Sequence, residues 1–168
     1  MQVNRTPAYD KNDRPTGCCA RFQPEPWDDQ ELVFEDKPFV HTTTRSFFHI
    51  PLGMGSMFVK TFGAIEKAHA DGGDFLVLTQ DASPWRADHY FAVDREVPGA
   101  DMVRLSGTFV TKVFDGPYAK ARDWCADMKR TVEQKGKHLD ALYFFYTTCP
   151  RCAKAYGHNY AVGVARVS

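Results

Sequence analysis

The sequence lacks the features that mark several large classes of protein. Lys plus Arg and Asp plus Glu both number 21 in 168 residues, so no overall basic field favours nucleic acid. No apolar run approaches the roughly 20 residues that a membrane helix needs, and residues 1–14 contain no apolar signal-peptide core. These absences predict a cytoplasmic protein that binds neither nucleic acid nor membranes. They predict no particular oligomeric state.

Signatures of catalysis are absent as well. The chain has no Gly-x-Ser-x-Gly, no His-Glu-x-x-His and no phosphate-binding glycine loop. The histidines near predicted strands and loops are therefore expected to be ordinary surface or core residues; they are His41, His49, His89 and His158. No catalytic residue is predicted.

Cysteine is scarce, but four of the five cysteines form two close pairs, Cys18-Cys19 and Cys149-Pro-Arg-Cys152. In a chain without a leader, this pattern favours metal binding or thiol chemistry over a disulfide framework. If the N-terminal arm folds back, the four sulfurs form a closed tetrahedral zinc site of the structural kind, with His158 as a substitute ligand. Unpaired thiols and a redox pair stay open as alternatives. A redox pair would open a helix, whereas Cys149 and Cys152 are expected between two strands.

Aromatic residues make up 14% and hydrophobic residues 43% of the chain, which indicates a folded protein. Periodicity and turn residues predict that the order strand, helix, strand, strand occurs twice along the chain. The predicted spans are strand 45–50, helix 57–70 with Ser56 as its N-cap, strands 75–79 and 89–93, strand 102–114, helix 118–134, and strands 141–148 and 160–167. The fold class is α+β: duplicated strand-helix-strand-strand modules forming one antiparallel sheet with two helices on one face. Residues 1–38 are expected to be an irregular arm packed on a domain of residues 39–168, with a short edge strand at 31–34.

Residues 90–98 and 105–118, a helix bearing Trp124, and the pair Leu142-Tyr143 together resemble the gyrase-inhibitor-like (GyrI-like) small-molecule-binding domain. The resemblance covers about residues 45–167 and is most specific at Gly116-Pro117-Tyr118. It implies duplicated modules with a ligand groove between them. Some members sense drugs within transcription regulators, some stand alone, and some hydrolyse electrophilic cyclopropane compounds.

Two departures from the GyrI-like pattern suggest an atypical, cysteine-containing branch. The family's groove holds an acidic side chain two residues before a tyrosine, but here Ala141 precedes Tyr143 and Phe144 precedes Tyr146. The missing carboxylate disfavours both organic-cation binding and carboxylate-assisted hydrolysis. The arm and the insertion that carry the cysteine pairs also lie outside the pattern.

The predicted function is that of a stand-alone small-molecule-binding protein with an apolar, aromatic groove between the modules and a structural cysteine zinc site. Rings and hydroxyls suited to such a groove are Trp85, Tyr90, Phe109, Tyr118, Tyr143 and Tyr146. A helix-facing sheet buries many rings whether or not it binds a ligand. The alternatives are a hydrolase of an electrophilic small molecule, as the resemblance permits, and a thiol or metal sensor.

Overall fold

A computed structural model describes residues 2–73 and 75–168. Within these residues the elements, in chain order, are β1 (Glu31–Phe47), β2 (Ile50–Pro51), α1 (Met54–Lys67), β3 (Val77–Ser83), β4 (Arg86–Ala92), β5 (Asp101–Asp115), α2 (Ala121–Gln134), β6 (Leu139–Tyr146), α3 (Pro150–Tyr156) and β7 (Tyr160–Val167). The predicted α+β class with antiparallel strands is confirmed. None of the helices in the described ranges is long and apolar enough to cross a membrane.

The chain divides into two compact units, residues 34–106 and residues up to 33 together with 107–168. In the first unit the strand order is β2-β1-β4-β3, with antiparallel pairing throughout. Helix α1 turns Met57, Thr61 and Ile65, one residue per turn, towards a core that includes Phe91. The predicted span 31–34 and the first half of the predicted span 45–50 belong to the single 17-residue strand β1, which ends at Phe47; residues 48–49 form a turn and Ile50 begins β2.

In the second unit the strand order is β6-β7-β5. Helix α2 buries Trp124, Met128 and Val132 against this sheet, at the spacing expected from the sequence. The helix lies very close to the sheet, because a Cβ added to Gly163 would come within 2.5 Å of the Met128 Sδ. Glycine is therefore needed at that position of β7.

Residues 2–30 have almost no regular structure, but they are held in place by buried side chains. Trp27 is fully buried, and its ring lies 5.8 Å from Phe22 and 5.3 Å from Phe145, measured between centroids. The Thr111 hydroxyl donates a hydrogen bond to the Trp27 carbonyl. This packing carries Cys18 and Cys19 to the side of α3.

Two helices differ from the predictions: α1 begins earlier than expected, and α3 was not expected. Helix α1 begins at Met54, with Gly53 as its N-cap, and the Ser56 hydroxyl only donates back to the Gly53 carbonyl at 3.3 Å. The connection between β6 and β7, expected to be a turn, contains the seven-residue helix α3. Cys149 is the N-cap of α3 and Pro150 its first residue, so the second cysteine pair does open a helix.

Candidate functional site

The four paired cysteines converge at one point in the second unit. Their Sγ atoms all lie within 4.8 Å of one another, in a group formed by Cys18, Cys19, Cys149 and Cys152. The Cys18 and Cys19 sulfurs are 3.8 Å apart. We call this group the cysteine cluster. It brings together all four predicted metal ligands, whereas His158 bonds to a carboxylate elsewhere.

Hydrogen bonds hold the arm and α3 together around the cluster. The Cys149 backbone N–H donates to the Cys19 Sγ at 3.3 Å. The Tyr156 hydroxyl donates to the Cys19 carbonyl at 2.6 Å and lies 2.9 Å from the Thr16 hydroxyl. That hydroxyl in turn lies 3.2 Å from the Cys152 Sγ. The arm is therefore fixed to the segment between β6 and β7 by hydrogen bonds that involve Cys19 and Cys152 themselves.

The thiols of the cluster differ in acidity. Burial raises the pKa of Cys19. Burial would also raise the pKa of Cys152, but hydrogen bonds from the Thr16 hydroxyl, the Cys19 backbone N–H and neighbouring thiols outweigh it and lower that pKa to about 6. Part of the cluster is thus ready to carry the thiolate charge that a metal ligand needs.

The spacing of the sulfurs is compatible with tetrahedral binding of a metal ion. Four sulfurs placed tetrahedrally at the usual Zn–S bond length are about 3.8 Å from one another, which is the Cys18 to Cys19 separation in the structure. Four thiolates also form the closed set found in structural zinc sites. The cysteine cluster can hold a metal ion.

A shallow pocket of about 350 Å³ lies near the cysteine cluster and shares Tyr156 with its surroundings. Its walls come from the arm, from α3 and from the residues that follow each of β6 and α3. The lining residues are Arg21, Phe22, Gln23, Pro24, Glu25, Thr148, Tyr156, His158 and Tyr160. Tyr156 and Thr148 also belong to the cluster's surroundings, so the two sites share their support.

His158 on the wall of this pocket is paired with Asp115. The His158 Nδ1 lies 2.7 Å from one Asp115 carboxylate oxygen, and the Asn159 backbone N–H donates to the other at 2.9 Å. Burial would raise the pKa of Asp115, but the bonds from His158 and Asn159 lower it. An ionised carboxylate only accepts hydrogen bonds, so His158 donates to it from Nδ1, and in the neutral imidazole Nε2 is then the acceptor nitrogen.

Two hydroxyls complete the polar lining. Thr148 is 93% buried, and its Oγ1 has no hydrogen-bond partner among the described residues. The Tyr160 ring stacks on His158 with centroids 4.9 Å apart. Burial raises the pKa of Tyr160, which keeps its hydroxyl protonated. Tyr160, with its protonated phenol, and Thr148, whose hydroxyl is covered, therefore both line the pocket that His158 lines.

The other histidines near strands are arranged differently. His41 uses both ring nitrogens, with Nδ1 2.8 Å from Asp101 and Nε2 3.0 Å from Asp88. The His89 ring is bonded on both sides by threonine hydroxyls. His49 pairs with Asp81 at 2.6 Å, much as His158 pairs with Asp115, but it lies in the other unit, outside the pocket.

Comparison with known families identifies the chain. Residues 9–167 match the family described as bacterial hydrolase. The chain belongs to the bacterial hydrolase family. The match includes the cysteine cluster, Asp115 and every residue that lines the pocket. A comparison with curated protein sequences gives no match.

Two solved structures from Listeria innocua share the fold of this family member. One is an uncharacterized conserved protein, with 14% sequence identity and a TM-score of 0.60. The other is a hydrolase, with 16% identity and a TM-score of 0.60. In both comparisons the alignment covers 84% of this chain and 92% of the other. At these identities the likeness shows the fold alone.

The six aromatic residues expected in a groove lie at several places in this bacterial hydrolase family member. Phe109 and Tyr143 are buried and pack together with centroids 6.3 Å apart. Tyr118 and Tyr146 are in contact at 5.3 Å, and Tyr118 is 41% exposed. The role of these four residues in ligand binding stays a prediction.

The remaining two belong to the unit of residues 34–106. Trp85 is 56% exposed at the turn between β3 and β4, beside Phe47 and Phe48. Tyr90 packs on the His41 ring at 5.0 Å. Their role in ligand binding also stays a prediction.

Sequence reasoning missed the Asp115 and His158 pair because the two residues are 43 positions apart. One signal was present in the predicted strands. Asp115 follows strand 102–114 and His158 precedes strand 160–167, so antiparallel pairing of these strands brings the two side chains to the same end. In the structure Asp115 is the register partner of Tyr160.

Proposed function

We propose that this protein is a hydrolase of a small molecule and that a structural zinc ion fastens the N-terminal arm to the segment between β6 and β7. The match of residues 9–167 to the bacterial hydrolase family carries the assignment of hydrolysis. A structural neighbour that is itself a hydrolase supports it. The GyrI-like relationship, and with it an electrophilic substrate, remains part of this proposal.

The zinc is assigned a structural role because of the number of ligands. Four thiolates fill a tetrahedral zinc ion, so no position is left for water or substrate. The ion would bring together two segments that are 130 residues apart in the sequence, Cys19 and Cys149. Five thiols outside any disulfide also suit a reducing compartment, and we propose the cytoplasm.

Hydrolysis without a catalytic metal requires a group that takes a proton from water as the water attacks. The histidine and carboxylate pair at the pocket can supply such a group. Binding without chemistry through the aromatic groove, and metal or thiol sensing, remain the two alternatives to this proposal.

The test of hydrolysis is a substrate panel offered to the full-length protein purified without chelator. The panel contains an aryl ester, a lactone, an anilide, an epoxide, a phosphate monoester and a glycoside, each with a chromogenic or separable product. We expect turnover within one class at rates that scale with protein concentration. No turnover in any class would contradict a hydrolase.

The test of the zinc site is Cys149→Ser. Since the cluster then has three thiols, we expect zinc measured by atomic absorption to fall well below the one ion per chain of the parent. The melting temperature should fall with it, because zinc binding contributes directly to folding.

Cys125→Ser is the matched control for this test, because Cys125 lies on α2 outside the cluster. It should keep its zinc. A Cys149→Ser protein with the parent's zinc content would contradict the assignment. A thiol count before and after denaturation should show four masked thiols in the parent only.

A further inference from the structure

We propose that the pocket near the cysteine cluster is the active site of the proposed hydrolase, with His158 as general base and a small neutral aromatic ester as substrate. This inference rests on the hydrolase function proposed above and specifies where and on what it acts. Three observations carry it: an oriented base, an unpartnered hydroxyl and the composition of the walls.

The first observation is the orientation of His158. The bond from Nδ1 to Asp115 fixes the ring and the proton on Nδ1, so Nε2 is the basic nitrogen of the neutral imidazole, and Nε2 has no partner among the described residues. The carboxylate is itself anchored by the Asn159 backbone N–H. The Asn159 side chain donates to the Gly116 carbonyl at 2.6 Å. This arrangement of base and orienting carboxylate is what water activation needs.

The second observation is the Thr148 hydroxyl. A buried polar atom without a partner costs free energy, so a hydroxyl that is retained in that state next to a pocket points to a ligand that completes it. Thr148 is 93% buried and lines the same pocket as His158. The Thr148 hydroxyl is covered in this structure and would have to turn towards the ligand. It and the Tyr160 hydroxyl would then donate to the oxygen on which negative charge develops during ester hydrolysis.

The third observation concerns the class of substrate. Phe22 and Tyr160 lie 5.7 Å apart and present apolar ring surface to the pocket. The Arg21 guanidinium is bonded to both carboxylate oxygens of Asp13, at 2.9 and 3.0 Å, so its charge is largely offset. Glu25 repels an anion. A volume of about 350 Å³ is at the small end for ligand sites. A small, flat and uncharged ester fits these properties.

The reaction needs water as its only co-reactant. The His158 Nε2 takes a proton from water as the water oxygen forms a bond to the ester carbonyl carbon, and the carbonyl oxygen becomes an oxyanion. When the tetrahedral intermediate collapses, the bond from carbon to the alcohol oxygen breaks. The imidazolium gives its proton to that leaving oxygen, so His158 returns to its starting state. The products are a carboxylic acid, which releases its proton to solvent, and an alcohol.

The experiment compares two histidines with the same local partner. His158→Gln and His49→Gln each remove an imidazole bonded through Nδ1 to an aspartate, at 2.7 and 2.6 Å, with similar side-chain exposure of 54% and 55%. Only His158 lines the pocket. The full-length zinc-loaded protein is assayed for phenyl acetate hydrolysis by release of phenol. Zinc content and melting temperature are measured for every variant.

We expect His158→Gln to lower kcat/KM about 100-fold or more and His49→Gln to leave it unchanged. Thr148→Val, which keeps the shape but removes the hydroxyl, should lower kcat/KM about tenfold. Asp115 acts by positioning the imidazole. Asp115→Asn should therefore lower kcat about tenfold or more with little change in KM. A general loss of structure would not lower kcat alone in this way.

Each outcome decides the matter. Parent activity that is lost in His158→Gln and kept in His49→Gln supports the site. Turnover of phenyl acetate or of another panel substrate that is unchanged in His158→Gln overturns this active site, while the protein remains a hydrolase. A parent protein that hydrolyses nothing in the panel overturns both the site and the proposed function.

Discussion

At the scale of single residues, the structure separates histidines by what surrounds their rings. His89 is fully buried, with its nitrogens 2.8 Å from the Thr44 hydroxyl and 3.0 Å from that of Thr79. Burial lowers its pKa to about 4; Asp88 opposes this shift and His41 adds to it. His41 itself has a raised pKa, because its bonds to Asp101 and Asp88 outweigh partial burial.

These two shifts give opposite dependences of stability on pH. The pKa of His89 is below its ordinary value of about 6.5, so the unfolded chain binds a proton more readily than the folded one as the pH falls below 6.5. The free energy of unfolding therefore decreases there, by at most about 1.4 kcal/mol per pH unit. The contribution of His41 is fully present below 6.5 and is lost only as the pH rises through its raised pKa. It therefore adds little change between pH 6.5 and 5.

We predict that His89→Gln makes the free energy of unfolding less dependent on pH between 6.5 and 5. Urea unfolding at four pH values measures the slope, so a uniform loss of stability in the variant does not affect the comparison. His49→Gln serves as the control, because His49 is exposed. An unchanged slope in His89→Gln would show that the ring does not titrate as its surroundings require.

Single residues also show what sequence could and could not predict about the site. Spacing alone predicted the four members of the cysteine cluster, because adjacent thiols in two segments have few other uses. The unpartnered state of Thr148 and the availability of the His158 Nε2 depend on which groups are absent nearby. Only three-dimensional neighbours decide such properties, and a sequence pattern does not contain them.

At the scale of elements, the long helices follow from periodicity and the short one does not. Trp124, Met128 and Val132 recur every four residues and predicted the buried face of α2. Helix α3 has seven residues, too few for a repeat to be recognised, and the ring-rich strands around it favoured a hairpin. Its signals were the proline at its start and Gly157 at its end.

We predict that Gly157→Ala destabilises the protein by about 1 kcal/mol. Gly157 ends α3 with φ of 74°, in the left-handed region, and a Cβ added there would meet no described atom within 4 Å, so the cost is one of backbone conformation alone. Gly157→Asn should cost less, because asparagine tolerates this conformation better.

Gly63→Ala is the control for this prediction. Gly63 lies inside α1 with open space around it, and alanine should stabilise the helix by about 1 kcal/mol. Both effects are read from urea unfolding. Equal costs for Gly157→Ala and Gly157→Asn would contradict the conformational explanation.

At the scale of the whole molecule, an arm with almost no regular structure is ordered by side chains distributed along it. Tyr9 and Phe22 both pack on Phe145, with centroids 6.2 and 6.3 Å apart, and Trp27 is buried beside them. The cysteine cluster fixes the middle of the arm. Composition indicated that this part of the chain is irregular, and Trp27 indicated that it docks, but the place of docking depends on partners more than 100 residues away.

We predict that removing zinc with a strong chelator under reducing conditions exposes the arm to trypsin after Arg21. Phe22, the next residue, is 6% exposed, so the bond is protected while the arm is held. Without zinc the rate of cleavage should rise about tenfold or more, since local opening governs proteolysis. Mass spectrometry identifies the fragments.

Cleavage after Arg95, an exposed residue of the other unit, is the internal control and should keep its rate. A rate after Arg21 that does not respond to zinc would show that aromatic packing alone secures the arm.

The separation of the cysteine pairs along the chain has a consequence for how the protein is made. Cys18 and Cys19 are synthesised before the second pair, and Cys149 follows Cys19 by 130 residues. At about 5–20 residues per second, this delay is roughly 6 to 26 seconds. A full set of four sulfurs exists only in chains whose synthesis has passed Cys152. Under the proposed structural role of zinc, retention of the ion would therefore distinguish chains that extend past Cys152 from chains that terminate before Cys149, which lack two of the four ligands.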